Sequence, residues 1–237
     1  MRALILAAGT ASRLRPLTEN TPKCLLKVGD KNLLERTIGA LSTNGVHDLT
    51  IVTGYLCEQI ERFVSESFPG LHIKFIYNER YESTNNIYSL WLAKSSMRGD
   101  DFLLLDSDIL FDKKLITVLL NSPAPDALAL NRHPLGEEEI KVIADACNRA
   151  AEISKTCDIR AAVGESIGIE KISSSYAEAL FDELDVMIEK ENLENLFYEK
   201  AFERLIPKGK MFEIVDTTGI FSMEIDTLED YREAQKC

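Results

Sequence analysis

Residues 2–9 read RALILAAG, a short apolar run that ends at a glycine. Such a run is typical of a parallel strand that is buried on both faces of a sheet. Three further strand-like segments follow at 48–54, 72–77 and 101–108, and helix-like segments lie between them. Because strands that alternate with helices form right-handed βαβ units, the first half of the chain predicts a parallel sheet covered by helices on both faces.

The pattern changes after Asp108, where shorter strand candidates are joined by polar turns. These candidates are ALALN (127–131), IKVIAD (140–145), AAEISK (150–155), VGESIGIEKI (163–172), FEIVD (212–216) and FSMEI (221–225). Helical patterns run from about 176 to 188, from 194 to 205 and onward from 227. No repeat, low-complexity stretch or linker interrupts the chain. We therefore expect an α/β fold, a single Rossmann-like domain of three α/β/α layers with a mixed, mostly parallel central sheet.

Composition limits the functional classes. The 237 residues include 39 Asp and Glu against 27 Lys and Arg, a formal net charge of -12, which argues against a general nucleic-acid binder. A small anionic ligand held by a local basic cluster remains compatible with that charge. The five cysteines form no C-x-x-C pair and are typical of thiols in a reducing compartment. Neither a signal peptide nor an apolar run of about 18 residues is present, so we expect a cytoplasmic protein without membrane insertion.

The basic cluster lies in the opening stretch, where residues 6–29 read LAAGTASRLRPLTENTPKCLLKVG. A strand that runs through Ala8 into Gly9 presents successive backbone N–H groups with little side-chain obstruction, and such a loop can hold phosphate groups. Arg13 and Lys23 would add charge-assisted contacts to the same anion. The pattern is neither a Walker A loop nor a G-x-G-x-x-G motif. The alternative is a surface turn with ordinary solvated cations.

The same stretch, L-A-A-G-x-x-x-R-L-x-P-L-T-x-x-x-P-K, resembles the signature of the nucleoside-triphosphate:sugar-1-phosphate nucleotidylyltransferase superfamily. Segments 78–93, 163–173 and 198–206 are most similar to its CTP:phosphocholine and 2-aminoethylphosphonate cytidylyltransferase branch. The resemblance implies the nucleotide-diphospho-sugar transferase type of fold, with residues 1–110 as the nucleotide-binding half and 111–237 as the acceptor-binding half. It also implies CTP, or another nucleoside triphosphate, and a small phosphorylated acceptor as the binding partners.

The resemblance further implies roles for individual residues. Lys23 would contact the α-phosphate and Arg13 the departing pyrophosphate, and we regard these two as the catalytic residues. The residues expected to bind the nucleotide are Leu6, Ala7, Ala8, Gly9, Thr10, Ala11 and Ser12 in the loop, and Asn78, Asn85, Asn86 and Ser89 in the region that contacts base and ribose.

Two acids are expected to bind Mg²⁺. Asp108 follows an apolar strand and Asp226 follows the strand FSMEI, and acids at strand ends converge on the ligand-binding edge of an α/β sheet. Carboxylates together with phosphate suit Mg²⁺, and in the resembled family acids at these positions bind the metal. The alternative is that Asp108 caps a turn and that Asp226 is the N-cap of the last helix, supported by Asp230.

The expected reaction is in-line attack of the acceptor's phosphate oxygen on the α-phosphorus, with release of pyrophosphate. This nucleophile is already an anion, so no general base is needed, and His47, His72 and His133 are expected to be structural or surface residues. A choline headgroup would need aromatic faces, whereas a primary ammonium would need carboxylates, for which Glu165 and Glu199 are the candidates. Lys141 and Lys155 are candidates for the acceptor's phosphate.

Other functions stay open at this level. One is a sugar-1-phosphate nucleotidylyltransferase that uses UTP, dTTP, GTP or CTP. Another is a metal-dependent glycosyltransferase that uses the D-x-D at 106–108, and a third is an inactive binding module on the same fold. The sequence also leaves open the acceptor, the oligomeric state (a homodimer among the options) and whether residues 135–160 form a flap.

Overall fold

Strands and helices alternate along the chain in the computed structural model, which describes residues 1–237. The strands are β1 (Arg2–Ala7), β2 (Lys27–Val28), β3 (Lys31–Asn32), β4 (Asp48–Thr53), β5 (His72–Tyr77), β6 (Phe102–Asp106), β7 (Ile109–Phe111), β8 (Ala127–Asn131), β9 (Lys141–Ala144), β10 (Ala150–Ser154), β11 (Gly164–Ile172), β12 (Glu213–Asp216) and β13 (Ser222–Glu224). The α-helices are α1 (Leu33–Thr43), α2 (Cys57–Ser67), α3 (Asn86–Leu92), α4 (Lys94–Met97), α5 (Lys114–Asn121), α6 (Ser174–Asp185), α7 (Glu199–Leu205) and α8 (Leu228–Ala234). None of these helices has the length and apolar character needed to cross a bilayer.

One nine-stranded sheet forms the middle layer. Seven strands follow the order β10–β9–β11–β6–β1–β4–β5, and β8 pairs with β11 and with β12. β6, β1, β4 and β5 run parallel, as does the pair of β8 and β12, whereas β11 is antiparallel to β6, β8 and β9. The expected mixed, mostly parallel α/β fold is therefore confirmed.

The sheet is buried on both faces because its strands are apolar on both. On β1, Leu4 and Leu6 face one layer of helices while Ile5 faces the other, as the two-residue period of a strand requires. The first layer contains α3, α6 and α7, and the second contains α1, α2 and α5. The two hydrophobic cores share one sheet, so the chain forms a single domain of three layers.

The structure corrects four element predictions. Helix α5 was not expected, because KLITVLLN reads as an apolar run; it buries Leu115, Ile116 and Leu119 against the sheet. The strand expected over 101–108 ends at Asp106, and the chain turns at 107–108 before β7. The segment FSMEI lies outside the main sheet, since β13 pairs antiparallel with β7 in a separate two-stranded ribbon.

The fourth correction concerns the helix expected over 194–205, which begins only at Glu199. The backbone before it bonds to the start of α3 instead of continuing the helix. The carbonyl of Glu194 accepts from the Asn85 N–H at 2.8 Å, and the N–H of Tyr198 donates to the Asn86 side chain at 3.0 Å. This joins the start of α7 to the loop that precedes α3.

Candidate active site

A cavity of about 820 Å³ opens at the carboxyl ends of β1 and β6, the usual position of ligands in open α/β sheets. It is lined by most of the residues singled out from the sequence. These are Leu6, Ala7, Ala8, Gly9, Ala11, Arg13, Lys23, Asn78, Asn85, Asn86, Ser89, Asp108, Lys155, Glu165, Glu199 and Asp226. Thr10, Ser12 and Lys141, which were also predicted to bind ligands, do not line the cavity.

The loop after β1 is shaped by its own backbone. The Ala8 carbonyl accepts from the Tyr55 N–H at 3.1 Å, and Ala11 adopts a left-handed conformation with φ of 46°. A short 3₁₀ helix over Ser12–Leu14 follows, anchored by the fully buried Leu14. A Cβ added to Gly9 would meet no atom within 4 Å, so this residue borders open space. Ser12, on the turn that buries Leu14, does not line the cavity, and its contact with a nucleotide remains a prediction.

Lys23 lies between the two acids that were predicted to bind metal. Its Nζ is 2.8 Å from an Asp108 oxygen and 2.6 Å from an Asp226 oxygen, and Arg13 forms an ion pair with the second Asp226 oxygen. Burial alone would lower the pKa of Lys23, but the two carboxylates outweigh burial and raise it. Burial would likewise raise the pKa of Asp226, and the charges of Lys23 and Arg13 lower it instead.

Asp108 and Asp226 meet because of the β7–β13 ribbon. Its register places Glu224 opposite Ile109, and the N–H of Ile225 donates to the Asp108 carbonyl at 3.1 Å. The N-cap of α8 is Thr227, not Asp226 as the alternative interpretation had it. Asp230 accepts from the backbone N–H of both Asp226 and Thr227, at 3.0 and 2.7 Å. The Asp226 side chain is therefore free to face the cavity.

A third carboxylate, Glu224, was missed from the sequence. Asp108, Glu224 and Asp226 each offer one oxygen, and these three oxygens lie within 4.8 Å of one another. One Asp108 oxygen is buried without a hydrogen-bond partner, as expected of a group that receives a ligand. The signal was present in the sequence, since residues 224 and 226 are two apart in a strand-like segment and two-residue spacing keeps side chains on one face. Three carboxylates with an open coordination position suit a hard divalent cation.

The predicted base and ribose residues fix the shape of the loop that carries them. The Asn78 amide donates to the Ser89 hydroxyl at 3.1 Å, and its oxygen accepts from the Arg80 N–H at 2.9 Å. Asn85 is the N-cap of α3, and its side chain accepts from the N–H of Asn86. These side chains position the loop whether or not they also contact a nucleotide, so their ligand contacts remain predictions.

The opposite wall contains the acceptor candidates. Glu165 accepts a hydrogen bond from the His133 ring at 2.7 Å, and this histidine, expected to be structural or on the surface, lines the cavity. The Lys155 ammonium lies 4.8 Å from the centre of the Phe197 ring and 3.3 Å from Glu138. Burial raises the pKa of Glu199 to about 7.

The prediction that Lys141 binds the acceptor is wrong. Its side chain is 1% exposed, and its Nζ donates to the backbone carbonyls of Glu137, Glu139 and Lys155 at 2.8 to 3.2 Å. An ammonium group has three donors, and all three are used. Lys141 therefore holds the backbone of residues 137–155 together and has no donor left for a ligand.

Known proteins resemble this chain in sequence and in fold. The model of the MobA-like NTP transferase domain matches residues 3–190. The choline-phosphate cytidylyltransferase of Streptococcus pneumoniae is 41% identical over 108 residues, which span 46% of this chain and 44% of that protein. The CTP:phosphoglutamine cytidylyltransferase of Campylobacter jejuni is 25% identical over 97% of both chains.

Among solved structures, the CTP:phosphocholine cytidylyltransferase of Streptococcus pneumoniae superposes with a TM-score of 0.82 and 26% identity, covering 99% of this chain and 97% of its own. The fold, the N-terminal signature and the family model therefore all indicate the same family. This protein belongs to the MobA-like NTP transferase family.

Proposed function

We propose that this chain is a metal-dependent cytidylyltransferase that transfers the CMP group of CTP to a small phosphorylated or phosphonate acceptor and releases pyrophosphate. The observation that carries the proposal is the meeting of the Lys23 ammonium with Asp108 and Asp226 in the cavity that Gly9 also lines. The choice of CTP is supported by the similarity to proteins named as cytidylyltransferases for choline phosphate and phosphoglutamine.

Each basic residue has a separate role in the proposal. The backbone after Ala8 and the Arg13 guanidinium hold the β- and γ-phosphates, which leave together as pyrophosphate. The Lys23 ammonium neutralises charge on the α-phosphate, where negative charge is redistributed in the transition state. Lys23 suits this task because it is 12% exposed and its charge is poorly screened by water.

The reaction needs no proton transfer. An anionic oxygen of the acceptor attacks the α-phosphorus, and a new phosphorus–oxygen bond forms as the bond to the bridging oxygen of the pyrophosphate breaks. The leaving pyrophosphate takes that electron pair. Positioning and charge neutralisation therefore supply the catalysis, in agreement with the side of the cavity where Arg13 and Lys23 meet the three carboxylates.

The carboxylates of Asp108, Glu224 and Asp226 fit Mg²⁺, which prefers oxygen ligands and is commonly bound through few carboxylates together with phosphates. A bound Mg²⁺ would neutralise phosphate charge and orient the α-phosphate. The unpartnered Asp108 oxygen is the atom best placed to become a ligand.

The test is a screen for pyrophosphate release that crosses CTP, UTP, GTP and dTTP with phosphocholine, phosphoethanolamine, 2-aminoethylphosphonate and sugar 1-phosphates. We expect CTP with one of the first three acceptors to give the highest rate, and Mg²⁺ removal by a chelator to abolish it. Lys23→Ala should lower kcat by roughly 10²–10³, the usual effect of removing one transition-state charge contact.

A clear preference for UTP or dTTP with a sugar 1-phosphate would replace this proposal with sugar-nucleotide synthesis. Turnover of Lys23→Ala within a few fold of the unmodified protein would show that the reaction takes place elsewhere. The matched control is Lys27→Ala, which removes an exposed lysine four residues away and should leave the rate unchanged.

A further inference from the structure

Three acidic side chains form no ion pair: Asp106 and Glu199 line the floor of the cavity, and Glu170 is buried outside its lining. Glu199 is 6% exposed and Glu170 is fully buried, and each has one carboxyl oxygen without any hydrogen-bond partner. Neither they nor Asp106 form an ion pair. Asp106 accepts a hydrogen bond from the buried Tyr198 hydroxyl at 3.0 Å, and Glu170 from the Ser166 hydroxyl at 3.3 Å.

Such an arrangement is unfavourable without a ligand. A buried carboxylate with an unsatisfied oxygen destabilises the folded protein, so buried acids are nearly always paired or hydrogen-bonded. Burial raises the pKa of Glu199 to about 7, and it raises the pKa of Glu170 well above the ordinary value, with the charge of Glu199 adding to that shift. Unpaired acids in a cleft are characteristic of functional sites that receive a charge from a ligand.

The acidic side chains at the floor lie where the end of the acceptor opposite its phosphate would reach. The same cavity is lined by Asp106, Ser166 and Glu199 and by Asp108. Asp108 forms the carboxylate trio together with Glu224 and Asp226. Asp106 and Asp108 are two residues apart, so their α-carbons are separated by about 7 Å at most. A Cβ at Gly168 would lie 2.8 Å from an Asp106 oxygen, which shows how closely the backbone of β11 packs on this carboxyl group and closes the floor. A short acceptor with its phosphate at the trio would reach the floor with its other end.

The second acidic candidate already has a partner within the protein. Glu165 is paired with His133 at 2.7 Å and has Lys141 among the charges that act on it, so it has less need of a further cation. The charge of Lys155 lowers the pKa of Glu199, but Lys155 forms no ion pair with it. The Lys155 ammonium lies over the Phe197 ring and beside Glu138. Glu199 therefore differs from Glu165 in having a buried carboxyl oxygen without a partner in the protein.

The floor is unsuited to a quaternary ammonium group. A trimethylammonium has no N–H donor and is bound by several aromatic faces. Of the Phe, Tyr and Trp residues only Tyr81 and Phe197 line the cavity, Phe197 already faces Lys155, and the Tyr198 hydroxyl is bonded to Asp106. Trp91 does not line the cavity, and its indole N–H donates to Asp185 at 2.9 Å. A primary ammonium, in contrast, carries three N–H donors that carboxylate and hydroxyl oxygens can accept.

We propose that Glu199, with Asp106 and Ser166, forms a subsite for the primary ammonium of the acceptor, so that this chain selects short aminoalkyl phosphates or phosphonates over their trimethylammonium counterparts. This inference rests on the proposed cytidylyl transfer. It assigns specificity to three residues at the floor of the cavity, apart from the residues that act on the phosphates.

The first test uses the unmodified protein. Pyrophosphate release from CTP is measured with 2-aminoethylphosphonate, phosphoethanolamine, phosphocholine and propylphosphonate, which lacks the amine. We expect kcat/KM for the two primary amines to exceed that for phosphocholine and propylphosphonate by about tenfold or more. Equal values, or a preference for phosphocholine, would overturn the ammonium subsite while leaving cytidylyl transfer intact. Absence of pyrophosphate release with every acceptor and nucleotide would overturn the proposed function itself.

The second test is Glu199→Gln, compared with Glu203→Gln on the same helix, which replaces a glutamate paired with Lys200 at 2.9 Å. We expect Glu199→Gln to raise the KM for the primary-amine acceptors about tenfold and to change the KM for CTP less than twofold, so that the ratio of kcat/KM between amine and propylphosphonate falls. Glu203→Gln should leave these constants unchanged. If Glu199→Gln lowers kcat/KM equally for amine and non-amine acceptors, the proposed subsite is wrong. If this variant fails to fold, the acceptor series measured on the unmodified protein decides between the outcomes.

Discussion

At the scale of single residues, Lys23 acts as the cation of the carboxylate trio in the free protein. Its ammonium lies within 2.8 Å of Asp108 and 2.6 Å of Asp226, two of the three groups proposed to bind metal. A divalent ion and this ammonium cannot use the same oxygens at the same time. Metal binding through Asp226, whose two oxygens pair with Lys23 and Arg13, therefore competes with these cations, and the proposed α-phosphate offers Lys23 another partner.

Lys23→Met is accordingly expected to increase the affinity of the free protein for Mn²⁺, used as a probe ion. Removal of the competing ammonium should tighten Mn²⁺ binding in the absence of nucleotide by about tenfold, or about 1.4 kcal/mol. The measurement is isothermal titration calorimetry or the spin-resonance signal of free Mn²⁺. Lys27→Met is the control, since it removes an equal charge from an exposed side chain of the same segment. Unchanged or weaker binding by Lys23→Met would show that the ammonium does not compete with the metal.

At the scale of elements, helix α8 holds the metal-binding end of the ribbon. The Thr227 hydroxyl accepts from the N–H of Asp230, and the Asp230 side chain accepts from the N–H of Thr227, which together form a capping box. The same Asp230 carboxylate accepts from the N–H of Asp226. The start of this short helix thus fixes the backbone from which Asp226 reaches the cavity.

Thr227→Ala is expected to lower the free energy of unfolding by about 1 kcal/mol, the usual cost of removing an N-cap hydroxyl. Because Asp226 is adjacent, the variant should also need a higher Mg²⁺ concentration for half-maximal rate. Chemical denaturation and a Mg²⁺ titration of the rate measure the two effects. Ser65→Ala, on the exposed side of α2, serves as the control and should change neither. A capping variant that loses stability without any change in its Mg²⁺ requirement would separate the cap from the site.

At the scale of the whole molecule, strand β11 joins the two parts of the sheet. It pairs with β8 on one side and, on the other, with β9 near its start and β6 near its end; a register shift in the β8 pairing lies between Ser166 and Glu170. Glu170 stands opposite Leu104 and Leu128 in the middle of the sheet and is fully buried. The protein therefore keeps an acid in its core, where burial raises the pKa of this group well above its ordinary value.

This pKa has a consequence for stability. Above about pH 4.3 the unfolded chain loses the Glu170 proton, whereas the folded protein keeps it until the pH exceeds the raised pKa. The folded state then binds more protons than the unfolded state, so Glu170 makes the protein less stable as the pH rises through this window. Each unit of pKa difference corresponds to about 1.4 kcal/mol.

Glu170→Gln is expected to remove that pH-dependent term while keeping the hydrogen bond from Ser166. Its melting temperature relative to the unmodified protein should rise between pH 5 and pH 8. The measurement is thermal unfolding across this range, with Glu152→Gln at an exposed position of β10 as the control. A difference between Glu170→Gln and the unmodified protein that stays constant with pH would mean that Glu170 is ionised in the folded state.

Some elements of this fold follow from the sequence pattern, and others depend on tertiary contacts. Local periodicity identified the main strands and most helices, since the two- and 3.6-residue patterns depend on neighbouring residues alone. It assigned no element to residues 114–121, where α5 lies, because an apolar run of eight residues does not distinguish a buried helix from a strand. It also extended α7 by five residues, because the hydrogen bonds that hold 194–198 go to α3, which is distant in sequence.

By itself, the sequence determined the sheet-edge loop with its glycine and basic residues, and the acids at two strand ends, because each of these features is carried by a continuous segment. Only the tertiary structure decided which groups meet. The β7–β13 register brings Asp108, Glu224 and Asp226 together, and packing gives Glu165 a histidine partner while leaving Glu199 without one. Packing also turns Lys141 onto three carbonyls. The physical reason is that a side chain's partners, burial and charge state depend on residues far along the chain, which become neighbours only when the sheet forms.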